Sequence, residues 1–349
     1  SFLRYHKKYG GGSMKKIVKA REFSSFIFLI ALFAIVGIIN PAFLSADNII
    51  ACFNESVVYI IISAGMAFAI FIGEIDVSVG ANLGFVATVV SSMLRDGQNW
   101  AVAFITGIVI GALIGLFNGW GVAVMGVPSL IFTLGTNGVM RGMMYVYTGG
   151  AWVENLPPAF SHMYTATLVG SLSICFAVTA VCIIIIHLIL KHTKHGKYFI
   201  AVGDNPSGAT LVGIPALQTK IAAYVICGIC AAIAGIVFSS RIGFVTATSG
   251  NGYEMKAVAA CVLGGISLSG GVGSVIGSSV GAIIMASISR LLVFMGFGST
   301  YDNAITGIML IVIVVADALM QRRSAEMNRR QRLAARTAGT ANEKGGAES

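Results

Sequence analysis

The stretch GIVIGALIGLFNG, Gly107–Gly119, carries a glycine at every fourth position and no charged residue. That spacing puts Gly107, Gly111, Gly115 and Gly119 on one face of a helix. Bare glycine lets a second backbone come close. In lipid, where no hydrophobic drive pulls helices together, such close packing is what holds them. The run GSVIGSSVG repeats the device at Gly273, Gly277 and Gly281. The two helices are predicted to form the centre of a membrane bundle.

Composition points the same way. Of 349 residues, 56% are hydrophobic and 11% charged, against about 25% charged in a soluble domain. Roughly 20 apolar residues carry a helix across the ~30 Å hydrocarbon layer. Apolar runs fall at Phe23–Asn40, Val57–Gly73, Val77–Leu94, Trp100–Met125, Leu130–Tyr147, Thr167–Leu190, Ile221–Ser240, Ala257–Leu268, Val272–Met295 and Ala304–Leu319. Basic residues stay on the cytoplasmic side. Lys15, Lys16, Lys19 and Arg21 precede the first run, Arg322 to Arg336 follow the last, and Lys194 and Lys197 occupy a long internal loop. The predicted fold is therefore an all-α polytopic membrane protein with about ten transmembrane helices and both termini cytoplasmic. Residues 14–320 form one transmembrane domain, residues 1–13 read as a vector-derived leader, and residues 321–349 as a basic, then disordered, cytoplasmic tail. The net charge of +9 gathers at membrane edges, which suits the anionic headgroups of the bilayer and not nucleic acid.

The chain has no P-loop, dinucleotide-binding or HExxH motif, and its length leaves no room for a soluble ATPase domain. Cys227 and Cys230 form a CxxC inside an apolar run with no His beside it, and read as packing residues. Neither an enzyme nor a metal site is indicated.

In FIGEIDVSVGA, Phe71–Ala81, two acids separate two apolar runs. By the topology above, Glu74 and Asp76 lie at a cytoplasmic turn. Asp76 is placed to cap a helix beginning at Val77, and a gate or a partner contact is the other reading. Thr133, Thr136, Asn137 and Arg141, at i, i+3, i+4 and i+8, share one helix face, and Asn118 ends the glycine-ridged helix. An Arg at membrane depth costs about 3 kcal/mol, so this face is expected to look into the bundle. It serves either helix–helix hydrogen bonding or a solute pathway. The glycine-rich VLGGISLSGGVGS, Val262–Ser274, breaks an apolar run and reads as an internal turn, either a tight connection or a pathway wall. Trp152, Pro157 and Pro158 mark a stiffened interfacial segment on the outer side, with Glu154 and Glu254 placed on that same side.

Four motifs, GEIDVSVGA, VPSLIFTLGTNGVMRGMMYVYTGG, GKYFIAVGDNPSGATLVGI and GYEMKAVAACVLGGISLSGGVGSVIG, resemble in order the ribose-type family of permease subunits of bacterial ABC sugar importers. The likeness spans about Ser24 to Leu319 and is greatest to the autoinducer-2 branch, with rhamnose and ribose permeases next. It implies a multi-pass subunit of the bacterial inner membrane that translocates a sugar or sugar-like molecule. It also implies a second permease subunit, identical or homologous, cytoplasmic ABC ATPase subunits and a periplasmic substrate-binding protein. No cofactor is implied in this chain, since ATP–Mg is bound by the partner ATPase. The resemblance further implies that the loop holding Asp204, Asn205, Ala209, Leu211, Val212, Gly213 and Ile214 forms an apolar knob docking on the ATPase, with Ala209, Leu211, Val212 and Ile214 exposed. The family has Gly where Glu74 stands, and Glu-Ala-Ala where Ser207-Gly208-Ala209 stands. An ion-coupled secondary transporter is the alternative. It is expected to show inverted repeats and intramembrane ionisable groups, and no such symmetry is legible in the sequence.

Overall fold

The computed structural model describes residues 25–38, 40–296, 301–312, 314, 315 and 318. The leader, the basic residues flanking the bundle and the tail lie outside them. Each of the ten apolar runs overlaps a helix, but the bounds differ. The second helix begins at Ala46 and not Val57, and residues 167–173, read as the start of a span, form a hairpin ahead of a helix that begins at Ile174. In chain order the helices are α1 (Ser25–Ile38), α2 (Ala46–Phe71), α3 (Val79–Arg95), α4 (Trp100–Ala123), α5 (Ser129–Thr148), α7 (Ile174–His192), α10 (Ala216–Ile242), α11 (Tyr253–Leu263), α12 (Val275–Phe294) and α13 (Tyr301–Val312). Shorter elements connect them: α6 (Pro158–Thr165), a hairpin of β1 (Thr167–Val169) and β2 (Leu172–Ser173), α8 (Lys194–Asp204) and α9 (Pro206–Leu211). Among the described residues five helices, α2, α4, α7, α10 and α12, are long and apolar enough to cross a membrane.

Glycine makes the close contacts that the sequence predicts, but the two ridged helices are not both central. The more buried helices are α2, α10 and α12, while α4 lies at the side of the bundle because only its glycine face packs. A Cβ on Gly111 would meet Gly228 and Ala232 of α10, one on Gly115 the Tyr224 carbonyl, and one on Gly119 the Ile221 Cα at 3.0 Å. Gly107 faces Val86 and Val90 of α3. On α12, Gly277 meets Gly264, and Gly281 meets the Ala260 carbonyl of α11. The opposite faces of α4 and α7 expose Val109, Leu113, Phe117, Val178, Ile185 and Ile189, the apolar surface a lipid-facing helix needs.

Two halves of the chain share one plan, turned over. Each has a long helix (α2 or α10), an extended segment that doubles back (residues 72–78 or 243–252), a short helix (α3 or α11) and a glycine-ridged helix (α4 or α12). The ridged helix of each half packs along the long helix of the other, α4 on α10 and α12 on α2. The long helices cross where a Cβ on Gly65 would meet Cys227 and Cys230, so the CxxC is indeed packing. This internal symmetry corrects the sequence expectation. It resides in helix order, which residue-by-residue comparison does not reveal.

The doubling back places the short helices at depth. Asn82 of α3 donates to the Gly228 carbonyl at 3.3 Å, twelve residues into α10, or about 18 Å from its start at 1.5 Å per residue. There the amino ends of α3 and α11 meet, with Gly80 against the Gly250 carbonyl and the Glu254 side chain. Glu254 is thus inside the bundle and does not share the outer surface with the exposed Glu154.

Candidate functional site

Unwound backbone at membrane depth must find its hydrogen bonds inside the protein, and α5 supplies them for both extended segments. Thr133 Oγ1 accepts from the Val77 N–H at 3.1 Å, and Asn137 Nδ2 donates to the Val77 carbonyl at 3.1 Å. One turn on from Asn137, Arg141 Nη1 donates to the Ser249 carbonyl of the other extended segment at 2.5 Å. The polar face read from the sequence therefore looks inward, and hydrogen bonding between elements is what it does here.

Asp76 joins the same network. Its carboxylate accepts from the Ser78 N–H at 2.9 Å, the Ser78 hydroxyl at 2.6 Å and the Asn118 amide at 3.3 Å. Asn118 also donates to Ser78 Oγ at 2.7 Å and accepts from Thr136 at 2.8 Å. Asp76, Ser78, Asn118, Thr133 and Thr136 are all buried. The helix begins at Val79 with Ser78 as its N-cap. Asp76 therefore does not cap a helix starting at Val77; it organises the turn before it and ties that turn to α4. Glu74 forms an ion pair with Lys220 at the start of α10, at 2.7 Å.

The basic end of the bundle, where Lys191, Lys194 and Lys197 lie, carries the second half of the site. There Asp204 ends α8, and Asn205 caps α9 by accepting from the Gly208 N–H at 2.8 Å. Leu211 and Val212 are 88% and 76% exposed. Ala209, expected to be exposed, is buried, because it faces the core side of this one-and-a-half-turn helix, and Ile214 is half-buried. Gly213 adopts φ +82°, a conformation that favours glycine.

Val262–Ser274 forms the tight connection between α11 and α12 at this same end and locks the base of the knob. The Gly271 N–H donates to the Phe71 carbonyl at 3.0 Å. A Cβ on Gly203 would collide with Phe71 and Gly271, and one on Gly271 would meet Asp204. The end of α2, the glycine turn and the α8–α9 loop are thus in backbone contact.

The sequence reading missed Lys256. It is buried beside Asp302, with which it pairs, and donates to Tyr59 Oη at 3.3 Å. Its ammonium lies 5.3 and 5.7 Å from the stacked rings of Tyr59 and Tyr253. The available signal was a lysine directly abutting the apolar run that starts at Ala257.

Residues 48–314 match the family model described as branched-chain amino acid transport system / permease component. The chain belongs to this permease family. A relative from Enterobacter sp. (strain 638), the autoinducer 2 import system permease protein LsrC, is 38% identical over 88% of this chain and 90% of its own length. Proteins of the same name are similar too. The one from Yersinia pseudotuberculosis serotype O:1b is 36% identical over 93% of this chain and 92% of its own, and the one from Escherichia coli O9:H4 35% over 92% and 94%. No solved structure matches. The permease is thus a multi-pass membrane subunit of an ABC importer of the bacterial inner membrane, and the hydrolysis of ATP belongs to another subunit. Its inverted halves accordingly do not mark ion coupling.

Proposed function

We propose that this permease imports a sugar-like molecule of the autoinducer-2 class, driven by an ABC ATPase pair that docks on the α8–α9 knob. One observation carries the coupling: Leu211 and Val212 stand exposed on a base joined by backbone contacts to α2 and to the glycine turn. Force on the knob then passes to the end of α2 and, through the Glu74–Lys220 pair, to the start of α10. Asp204 and Asn205 shape the knob, Ala209 and Ile214 anchor it, Gly213 ends it, and Leu211 and Val212 make the contact. The substrate class rests on the names of relatives that match along nearly their whole length.

In this reading ten helices cross the bilayer, the basic end is cytoplasmic and both termini are inside. A second permease, identical or homologous, covers the outer side of α5, where Gly135, Gly138 and Gly142 have open space before them. The solute passes along that side, beside the half-buried Asn137 and Arg141, while Asn118 and Thr133 hold the wall behind them. A periplasmic binding protein delivers it at the Trp152 end, where Trp152 stacks on Phe244 at 5.3 Å.

The test is uptake into proteoliposomes holding the permease and its ATPase, with binding protein outside and ATP inside. Autoinducer-2 accumulation that requires both proteins supports the proposal. Accumulation driven by an ion gradient without the ATPase would refute it.

A further inference from the structure

At the basic end an apolar groove of about 540 Å³ opens between α7, α8 and α10. Its walls include Ile186, Ile189 and Phe199 on one side and Thr219, Ala222 and Ile226 on the other. Along α10 it reaches ten residues in from Ala216, to Ile226, or about 15 Å. That is half of a ~30 Å hydrocarbon layer, the depth of one leaflet. The shape is fixed by the α7–α8 corner, where Gly196 sits so close to Leu190 that no side chain fits between them.

The rim is basic. Within the seven residues KHTKHGK, Lys191–Lys197, stand three lysines and two histidines and no acid. Lys191, Lys194 and Lys197 are exposed, and none makes an ion pair among the described residues. Each of these lysines directly adjoins a residue that lines the groove. An apolar slot one leaflet deep with such neighbours is complementary to one kind of molecule, with an acyl chain in the slot and a negative headgroup at its basic end. Basic sites between helices at the cytoplasmic side bind such headgroups, each lysine near an anionic surface contributing roughly 1 kcal/mol.

We infer that this groove is a binding site for a single anionic glycerophospholipid, its acyl chain between α7 and α10 and its headgroup on Lys191, Lys194 and Lys197. The placement rests on the basic end being the cytoplasmic one, as proposed above. Phe199 lines the groove and packs edge-on against Phe68 of α2 at 5.1 Å. A bound lipid therefore braces α8, the helix that carries the knob.

The full-length permease, reconstituted in vesicles of phosphatidylcholine and phosphatidylglycerol and released into mild detergent, is examined by native mass spectrometry for retained lipid. Wild type should retain phosphatidylglycerol over phosphatidylcholine by at least about fivefold, the effect of one lysine at an anionic surface. Lys191→Gln, Lys194→Gln and Lys197→Gln together should bring the two lipids to parity. Ala222→Trp, which fills the groove, should lose both. If that variant fails to fold, the lysine triple decides alone, since its changes are at exposed positions. Equal retention of both lipids by wild type, or unchanged preference in the triple variant, overturns the inference. So does loss of the lipid when the ATPase pair is added, which assigns the groove to that partner. Because lipid retention is read without transport, this test can fail while the importer function stands.

Discussion

The Asn118 amide on α4 donates to the buried Asp76 carboxylate at 3.3 Å, joining the doubled-back turn before α3 to the glycine-ridged helix behind it. An acceptor buried without a donor costs about 1–3 kcal/mol, more when it is charged. Asn118→Leu leaves Asp76 with the Ser78 donors alone, and should lower stability by about 2 kcal/mol or more. Thr136→Val, which removes a neutral donor from the Asn118 oxygen, should cost about 1 kcal/mol. Thermal unfolding in detergent compares them, and an Asn118→Leu melting point equal to wild type would contradict the network.

The glycines of α4 and α5 separate by what they face. Gly115→Leu would drive a side chain into the Tyr224 carbonyl, whereas Gly138→Leu meets open space within one subunit. The first should abolish recovery of folded monomer. The second should fold normally and lose pairing with the second permease. Fluorescence-detected size exclusion reads both, and a well-folded Gly115→Leu protein would mean that α4 and α10 are not in close contact.

Much of this was legible in the sequence because membrane packing leaves few devices to choose from. Four-residue glycine spacing marked the faces of α4 and α12 that pack closely, though not their partners α10 and α11, and apolar length found the helices without fixing their ends. The inward polar face of α5 followed from the cost of exposing Arg141 to lipid. What escaped was depth. The acids of FIGEIDVSVGA looked like an end-of-span turn, although residues 72–78 run back into the bundle and α3 starts about 18 Å in. Periodicity reports which face a residue occupies, not how far along the bilayer normal it sits. For the same reason Glu254 was placed on the outer side and Lys256 went unread.

Sidedness is testable at two exposed serines. In a variant lacking the six native cysteines, Ser171→Cys in the β1–β2 hairpin should react in intact cells with a membrane-impermeant thiol reagent. Ser207→Cys in α9 should react only after lysis. Labelling of Ser207→Cys in intact cells would invert the proposed topology.

Coupling of this permease to its ATPase through the α8–α9 knob, as proposed, is decided by Leu211→Asp. Leu211 is 88% exposed, so the substitution leaves the fold intact. Gly213, by contrast, holds φ +82°, and a bulky residue there would strain the backbone, making Val212→Asp the better second variant. Burying an unpaired carboxylate at a docking centre costs several kcal/mol. The decisive measurement is the amount of ATPase subunit retained on the purified, monodisperse permease. Leu211→Asp and Val212→Asp should each lose the ATPase and the uptake together, while helix content stays at the wild-type level. Full retention by both variants, with normal uptake, would contradict that coupling.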